Sequence, residues 1–219
     1  MTILDGKKTA QDLKEEIKVA VSEIKKSGKR PPHLAAVLVG DDGASLTYVG
    51  SKVRSCDYVG FDSTLIKLDE STTEETLLKK IDELNQDDQL DGYIVQLPLP
   101  KHIDEEKILL AIDPTKDVDG FHPSNFGRMA LEMDAFIPAT PFGIIELLER
   151  YKIETSGKHC VVVGRSHIVG RPISILMSQK GPAGNATVTL AHSRTQNLAE
   201  LTKSADIVVM ALGIPEYLT

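Results

Sequence analysis

The sequence has no tryptophan, only two cysteines and no long hydrophobic run. Cys56 and Cys160 cannot form a disulfide framework, which indicates a reducing compartment, and we expect a cytoplasmic protein. No apolar stretch is long enough to cross a membrane, and the first residues lack the apolar core of a signal peptide. These absences exclude the secreted disulfide-rich and membrane-spanning classes.

Positive charge is in deficit, because 25 lysines and arginines face 32 acidic residues, a net charge of −7. This balance argues against a nucleic-acid-binding protein, although a site for a small anion needs only local positive charge. The rest is ordinary globular composition, 41% hydrophobic and 26% charged over 219 residues. That length allows one large or two small domains, and we find no internal repeat.

Residues 157–177 have the pattern of a strand, a tight turn and a helix. The apolar run at 160–163 is typical of a buried parallel strand, and Gly164 ends it. Gly170 and Pro172 then open a helical pattern. Such a turn directs backbone N–H groups and a helix dipole at one point, which favours a phosphate. The spacing Gly-x-Ser-x-x-x-Gly is a loosened dinucleotide fingerprint, and an ordinary strand–helix turn explains this pattern alone equally well.

Apolar periodicity predicts alternating helices and strands along the chain. The predicted helices cover residues 9–26, 45–59, 71–84 and 104–112, start again at 140 and 170, and end with 197–204. The predicted strands cover 34–39, 61–68, 93–95, 160–163, 186–191 and 207–211. This alternation predicts an α/β fold in which helices cover both faces of a parallel sheet.

The boundary between two domains is predicted near residue 140. Thr140 is a plausible N-cap and Pro141 a plausible first helical residue, which gives domains at 1–139 and 140–219. The second has the order β-α-β-α-β, one mononucleotide half of a doubly wound fold. A complete dinucleotide domain needs a second half, so we expect this domain to be incomplete at its C-terminal end.

Candidate catalytic residues lie in the first predicted domain. Tyr48 and Lys52 share one helix face, and a lysine in apolar surroundings can work as a base, although a solvated surface lysine is the commoner case. The same spacing occurs in short-chain dehydrogenases, but there it follows the nucleotide fingerprint, so we reject that match. Gln96 ends a strand in a proline-rich loop, where parallel sheets bind ligands, or it is simply a hydrogen-bonded loop residue.

Two further loops carry polar residues. Residues 116–120 contain Asp117 and Asp119, and either a turn or a substrate site explains them; the other ligands of a calcium loop are missing, so we expect no metal. After the strand at 186–191, the acid that usually grips the ribose of NAD is absent. Ser193 and Arg194 stand there, with Arg165 on the phosphate turn, which favours the extra phosphate of NADP.

These residues together resemble the bifunctional methylenetetrahydrofolate dehydrogenase/methenyltetrahydrofolate cyclohydrolase family, over essentially the whole chain. The matching motifs are Val39-Gly40 with Ala44-Ser45, Tyr48-x-x-x-Lys52, Asp91-Gly92-x-x-Val95-Gln96-Leu97-Pro98-Leu99-Pro100, Lys116-Asp117-Val118-Asp119-Gly120-Phe121-His122, Pro138-Ala139-Thr140-Pro141 with Gly143, Val163-Gly164-Arg165-Ser166-x-Ile168-Val169-Gly170-x-Pro172, Ala186-Thr187-Val188 with His192-Ser193, and Ala205-Asp206-Ile207-Val208.

The resemblance implies an N-terminal α/β catalytic domain, a Rossmann-type NADP-binding domain and a folate site in the cleft between them. It implies that Lys52 is the catalytic lysine, that Gln96 hydrogen-bonds near it, and that Tyr48 packs on the substrate. The implied catalytic residues are Lys52, Tyr48, Gln96 and Asp119, the last holding the pterin ring; Ser45, Leu97 and Pro98 complete the substrate site. The implied cofactor-binding residues are Gly164, Arg165, Ser166, Ile168, Gly170, His192, Ser193 and Arg194.

The implied activity is oxidation of 5,10-methylenetetrahydrofolate with NADP, followed by hydrolysis to 10-formyltetrahydrofolate. Tetrahydrofolate derivatives are the implied partners, and the implied assembly is a homodimer. The resemblance also implies further strands, a glycine-rich segment and a C-terminal helix after Thr219, so we expect reduced activity from this chain as given. The alternatives are an NADP-dependent dehydrogenase of shikimate- or amino-acid-dehydrogenase type, and a nucleotide-binding module without catalysis.

Overall fold

The computed structural model describes residues 2–217 and contains two compact units. One unit spans Asp5–Ser124, and the other comprises residues 2–4 with those from Asn125 onward. The helices are α1 Gly6–Lys26, α2 Gly43–Val59, α3 Glu74–Asn85, α4 Glu105–Ala111, α5 Pro123–Ala130, α6 Ala139–Arg150, α7 Gly170–Ser178 and α8 Leu198–Ser204. The strands are β1 His33–Val39, β2 Asp62–Leu68, β3 Gly92–Val95, β4 His159–Val163, β5 Thr187–Ala191 and β6 Ile207–Met210. No described helix is both long and apolar enough to cross a membrane.

The first unit is built on a parallel sheet of order β2-β1-β3. Successive residues of β1 point to opposite faces, so each face has its own core. Val37 and Tyr93 pack in the larger core, which also includes buried residues of α3 and α4. Ala36 and Ile94 pack with Val49 of α2 on the other face. The predicted parallel sheet with helices on both faces is therefore confirmed in this unit.

The second unit repeats this arrangement with a parallel sheet of order β5-β4-β6. β4 is the central strand, and its residues Val161, Val162 and Val163 are at most 2% exposed. The succession β-α-β-α-β is confirmed, but the order is not that of a mononucleotide half, in which the third strand lies beyond the second. Here β6 crosses to the other side of β4. The topological switch point therefore lies between β4 and β6.

The first residue of each central strand is held by the same set of contacts. The N–H of His33 donates to Asp91 Oδ2 (2.7 Å), just as the N–H of His159 donates to Asp206 Oδ2 (2.8 Å). The Nε2 atom of each histidine also lies 2.8 to 3.0 Å from a threonine hydroxyl of the neighbouring strand, Thr64 in β2 or Thr189 in β5. Each aspartate directly precedes the third strand of its sheet.

Several predicted helix starts are wrong by a few residues. α1 starts at Gly6 with Asp5 as its N-cap, because the Asp5 carboxylate accepts the N–H of Lys8. α2 starts at Gly43, and Asp42 rather than Ser45 is its N-cap. α6 starts at Ala139, so Thr140 lies inside the first turn and is not the N-cap. In α1 and α2 the N-cap is an aspartate four and three positions before the predicted start, because its carboxylate reaches the free N–H groups of the first turn.

The helix α5 was not predicted, and it affects where the units divide. Gln179 Nε2 donates to the Met129 carbonyl oxygen (2.5 Å), which ties the end of α5 to the second unit. The contacts divide the chain between Ser124 and Asn125. The proposed boundary between residues 139 and 140 stays a prediction, and positions 218 and 219 of the second predicted domain lie outside the described residues.

Candidate active site

Tyr48 and Lys52 come together on one face of α2, because residues four apart in a helix lie on the same side. The Lys52 ammonium lies 4.7 Å from the centre of the Tyr48 ring. A cation over an aromatic face is attracted by the ring quadrupole. Tyr48 is 55% exposed, so more than half of the residue is accessible to solvent.

Asp119 approaches Lys52 from the loop that follows α4. Its Oδ1 atom lies 3.6 Å from Lys52 Nζ, and both side chains are partly buried. Burial raises the pKa of the Asp119 carboxyl, and the nearby Asp117 raises it further, while Lys52 opposes the shift. The structure therefore brings three of the four predicted catalytic residues, Tyr48, Lys52 and Asp119, into one cluster.

The loop that presents Asp119 is fixed from both sides. The buried Asp117 carboxylate accepts the N–H of His122 (2.8 Å), and Lys116 Nζ donates to the Leu84 and Asp87 carbonyls (2.9 and 2.7 Å). The loop also packs directly on β3, since a Cβ atom at Gly92 would lie 2.2 Å from Val118 Cγ1. Gly92 is thus required for the approach that places Asp119 beside α2.

A cavity of about 390 Å³ joins this cluster to the space between α2 and the sheet. Tyr48, Lys52 and Asp119 line it together with apolar side chains that include Ala36, Val53, Ile94 and Val118. Such a cavity, apolar with a few convergent polar groups, is typical of a small-molecule site.

The remaining predicted substrate residues do not line this cavity within the described part of the chain. Gln96 follows β3, and its Nε2 atom donates to the Leu97 carbonyl oxygen (2.7 Å) rather than to a group near Lys52. The bond between Leu97 and Pro98 is cis. Ser45 is buried in the first turn of α2, where its N–H donates to Asp42 Oδ2 (2.8 Å). Their roles in binding stay predictions.

Sequence reasoning missed five polar residues that line the same cavity. Ser51, Ser55 and Cys56 lie on the α2 face that carries Tyr48 and Lys52, so helical spacing could have identified them. Ser63 and Thr64 come from β2. No sequence signal relates them to Lys52, because only the packing of β2 beside β1 brings them there.

The second unit presents a tight glycine turn between β4 and α7. Gly164 has φ 119°, and a Cβ atom there would lie 2.2 Å from the Ala211 carbonyl oxygen. A Cβ atom at Gly170 would lie 2.1 Å from the Gly164 carbonyl oxygen. Both positions therefore need glycine, which lets α7 begin directly against the end of β4.

The predicted cofactor residues are placed around this turn. Ser166 Oγ accepts the N–H groups of Val169 and Gly170 (3.1 and 3.3 Å), so it caps the start of α7. Arg165 is exposed at the end of β4, and Ile168 is also exposed. This turn lies at the end of β4, beside the switch point of the sheet, where open α/β sheets bind their ligands.

The end of β5 carries the other predicted cofactor residues. The N–H of His192 donates to Thr195 Oγ1 (2.8 Å), and its Nδ1 atom accepts the N–H of Arg194 (3.2 Å). His192 thus shapes the turn, and the side chains of Ser193 and Arg194 are exposed on it. β5 pairs with β4 in register up to Ala191 beside Val163, so both turns follow neighbouring strand ends.

Comparison with known proteins agrees with both units. A family model described as tetrahydrofolate dehydrogenase/cyclohydrolase, catalytic domain, matches residues 4–119, and one described as the NAD(P)-binding domain matches residues 138–219. The chain belongs to the tetrahydrofolate dehydrogenase/cyclohydrolase family. This confirms the resemblance seen in the motifs, and it confirms an α/β fold with a catalytic and a nucleotide-binding domain.

Similar members of the family are found among both curated proteins and solved structures. The chain is 73% identical to the bifunctional protein FolD of Flavobacterium johnsoniae over 218 residues, which cover 100% of this chain and 74% of that protein. The FolD structure from Campylobacter jejuni is 43% identical, with a TM-score of 0.94, and the match covers 100% of this chain and 76% of that one.

A third relative was solved with its cofactor. The methylenetetrahydrofolate dehydrogenase-cyclohydrolase of Trypanosoma brucei, complexed with NADP and an inhibitor, is 33% identical, with a TM-score of 0.90. The match covers 98% of this chain and 72% of that protein.

Proposed function

We propose that this member of the tetrahydrofolate dehydrogenase/cyclohydrolase family oxidises 5,10-methylenetetrahydrofolate with NADP and hydrolyses the methenyl product to 10-formyltetrahydrofolate. The observation that carries the proposal is the cluster of Tyr48, Lys52 and Asp119 in one cavity of the unit that matches the family's catalytic domain. The alternatives, another dehydrogenase or a binding module without catalysis, are not favoured, because the matching family models and relatives are bifunctional folate enzymes.

The second unit fits NADP on its own geometry. Gly164 and Gly170 let α7 begin directly against the end of β4, which places the N-terminal end of a helix beside the switch point, where a phosphate is favoured. Arg165, Ser193 and Arg194 are exposed at the ends of β4 and β5, and guanidinium groups suit the additional phosphate of NADP. When bound, NADP supplies the hydride acceptor for the oxidation.

Each residue of the cluster has a separate task in this proposal. The exposed Tyr48 ring offers a face on which the pterin ring stacks. The Asp119 carboxylate accepts hydrogen bonds from ring N–H groups. Lys52 removes a proton from the attacking water, which is the work of a general base. Gln96, for which no contact with Lys52 is described, retains a role in orienting the substrate as an expectation from the family resemblance.

We also propose a cytoplasmic homodimer. The support is the family resemblance and the cysteine content of the sequence, since two cysteines give no disulfide framework. Sedimentation of the purified protein tests the assembly directly, and a monomer at micromolar concentration contradicts it.

The experiment that tests the function is a spectrophotometric assay with 5,10-methylenetetrahydrofolate and NADP. We expect NADP-dependent oxidation followed by formation of 10-formyltetrahydrofolate. Oxidation of shikimate or an amino acid without any reaction of the folate would replace the proposal with the other dehydrogenase class. Binding of NADP without turnover of any of these substrates would favour the module without catalysis.

A further inference from the structure

The cavity around Lys52 extends along α2 into a part that is lined by hydroxyl groups. α2 contributes Ser51 and Ser55, and β2 contributes Ser63 and Thr64. We call the part of the cavity lined by these four residues and Cys56 the hydroxyl groove. Thr64 is exposed, so the groove reaches the protein surface at that end.

The serine hydroxyls of the groove have no hydrogen bond to protein among the described residues. Serines in helices commonly bond back to their own backbone, and Ser174 and Ser178 of α7 do so at 2.7 Å. Ser51 and Ser55 make no such bond although both lie within α2. No buried, unsatisfied side-chain polar atom is found in the described part of the chain, so these hydroxyls are reached by water.

The groove also has one hydroxyl with a fixed position. Thr64 Oγ1 lies 2.8 Å from His33 Nε2, and that histidine is anchored by Asp91 at the start of β1. The whole cavity of about 390 Å³ has room for about a dozen waters at roughly 30 Å³ each. The cavity is therefore large enough for water to connect the surface at Thr64 with the ammonium of Lys52.

We propose that the hydroxyl groove delivers and positions the water that hydrolyses the methenyl group, with Ser55, Ser63 and Thr64 as positioning residues. This inference rests on the proposed function. In the step, the water oxygen bonds to the methenyl carbon and the bond from that carbon to N5 breaks. One water proton ends on N5, and the other passes through Lys52 to solvent.

The oxidation step consumes no water, whereas the hydrolysis step consumes one. If the groove supplies water, altering it therefore slows hydrolysis and leaves oxidation unchanged. If the groove instead held part of the folate, its alteration would weaken both activities together. The ratio of methenyl product released to formyl product formed is the measurement that separates these two uses.

The first test changes single hydroxyls in the intact protein. Thr64→Val and Ser55→Leu are expected to lower hydrolysis by about 10- to 100-fold, the range for a misplaced reactant. Oxidation is expected to stay within about twofold of the unmodified rate. Thr47→Val is the matched control, because the Thr47 hydroxyl bonds to the Gly43 carbonyl (2.8 Å) and does not line the groove.

The second test blocks the groove reversibly by chemical modification of its cysteine. Methyl methanethiosulfonate adds a small thiomethyl group to exposed cysteines, and Cys160 is fully buried, so Cys56 is the target. Mildly alkaline conditions are needed because burial raises the pKa of the Cys56 thiol. Hydrolysis should fall about tenfold or more and recover with dithiothreitol, and Cys56→Ala should be insensitive.

The outcomes are separable. Unchanged hydrolysis in Thr64→Val, Ser55→Leu and the thiomethylated protein overturns the inference. Equal loss of both activities, or a raised KM for methylenetetrahydrofolate, also overturns it, because the groove then holds substrate. Loss of the expected activities already in the unmodified protein overturns the proposed function itself, before any variant is compared.

Discussion

The two units of this chain use the same scaffold for different kinds of binding. Each has a three-stranded parallel sheet in which the first strand is central, and each fixes that strand with a histidine, an aspartate and a threonine. The differences lie elsewhere in each unit. In the first, side chains of α2 and a loop converge on a cavity, whereas in the second a tight glycine turn packs the start of α7 against the end of β4.

The two units therefore share a sheet topology, and the residues around each sheet decide what that unit can bind. In the first unit, Lys52 and Asp119 act through their side chains, whose opposite charges are held 3.6 Å apart. Gly164 and Gly170 act by lacking side chains, since a Cβ atom at either would meet backbone at 2.2 Å or less. Substitutions at Lys52 or Asp119 should therefore lower activity, whereas substitutions at Gly164 or Gly170 should disturb the local fold.

The largest effect is expected from Lys52→Arg. The guanidinium keeps the positive charge beside Asp119 but stays protonated at neutral pH, so it cannot act as a base. Hydrolysis of methenyltetrahydrofolate should fall by about 10²- to 10⁴-fold, the usual cost of a lost general base. NADP affinity, measured by titration, should be unchanged. Normal hydrolysis in this variant would remove Lys52 from the mechanism.

Arg165→Ala should have the converse effect on the second unit. Loss of a charge-assisted hydrogen bond costs about 1.5–3 kcal/mol, so NADP should bind about 10- to 100-fold more weakly. NAD affinity should change little, because NAD lacks the additional phosphate. Arg171→Ala is the matched control, since Arg171 is also exposed but lies within α7. Equal losses for NADP and NAD would show that Arg165 does not contact that phosphate.

Gly170→Ala tests the tight glycine turn between β4 and α7. The new Cβ atom would meet the Gly164 carbonyl oxygen, so the free energy of unfolding should fall by about 1–3 kcal/mol, as for overpacked sites. The comparison variant is Gly143→Ala in α6, where a Cβ atom meets nothing within 4 Å. That change should stabilise by about 0.5–1 kcal/mol, because alanine suits a helix better. Denaturant unfolding measures both, and equal behaviour would contradict the tight turn.

The smallest effect concerns the two aspartates that hold the central strands. Hydrogen bonding to Arg30 lowers the pKa of Asp91, with the His33 N–H adding to the shift, so its folded pKa lies below its unfolded one. This contribution to stability is fully present above the pKa of Asp91 in the unfolded chain, and it is lost as the pH falls through the pKa of Asp91 in the folded protein. Asp91→Asn should therefore cost about 0.5–1 kcal/mol at pH 7, and the difference from the unmodified protein should vanish at low pH.

Asp206→Asn is the partner experiment in the second unit. Its carboxylate also accepts the backbone N–H of a histidine, but no arginine is described beside it. The comparison shows how much of the Asp91 effect comes from Arg30. Thermal unfolding between pH 3 and pH 7 measures the stability difference between Asp91→Asn and the unmodified protein. A difference that does not depend on pH would contradict the assignment to the charged carboxylate.

Much of the fold was predictable because local patterns specify it. Apolar runs ended by Gly40 and Gly164 predicted buried strands, and the alternation of strands and helices predicted a parallel sheet. The four-residue spacing of Tyr48 and Lys52 predicted their shared face. Helix starts were less predictable, since Asp42 and Ser45 are both good caps by composition and only the backbone geometry selects Asp42.

The sequence by itself determined the family to which the chain belongs and named the candidate catalytic residues, because both follow from short motifs. The tertiary structure decided which residues of different motifs lie next to one another. Asp119 and Lys52 are far apart along the chain. The carboxylate reaches α2 because Val118 packs on Gly92 and because Lys116 and Asp117 hold the same loop. The hydroxyl groove likewise exists only because β2 lies beside β1, since strand pairing depends on contacts distant in sequence.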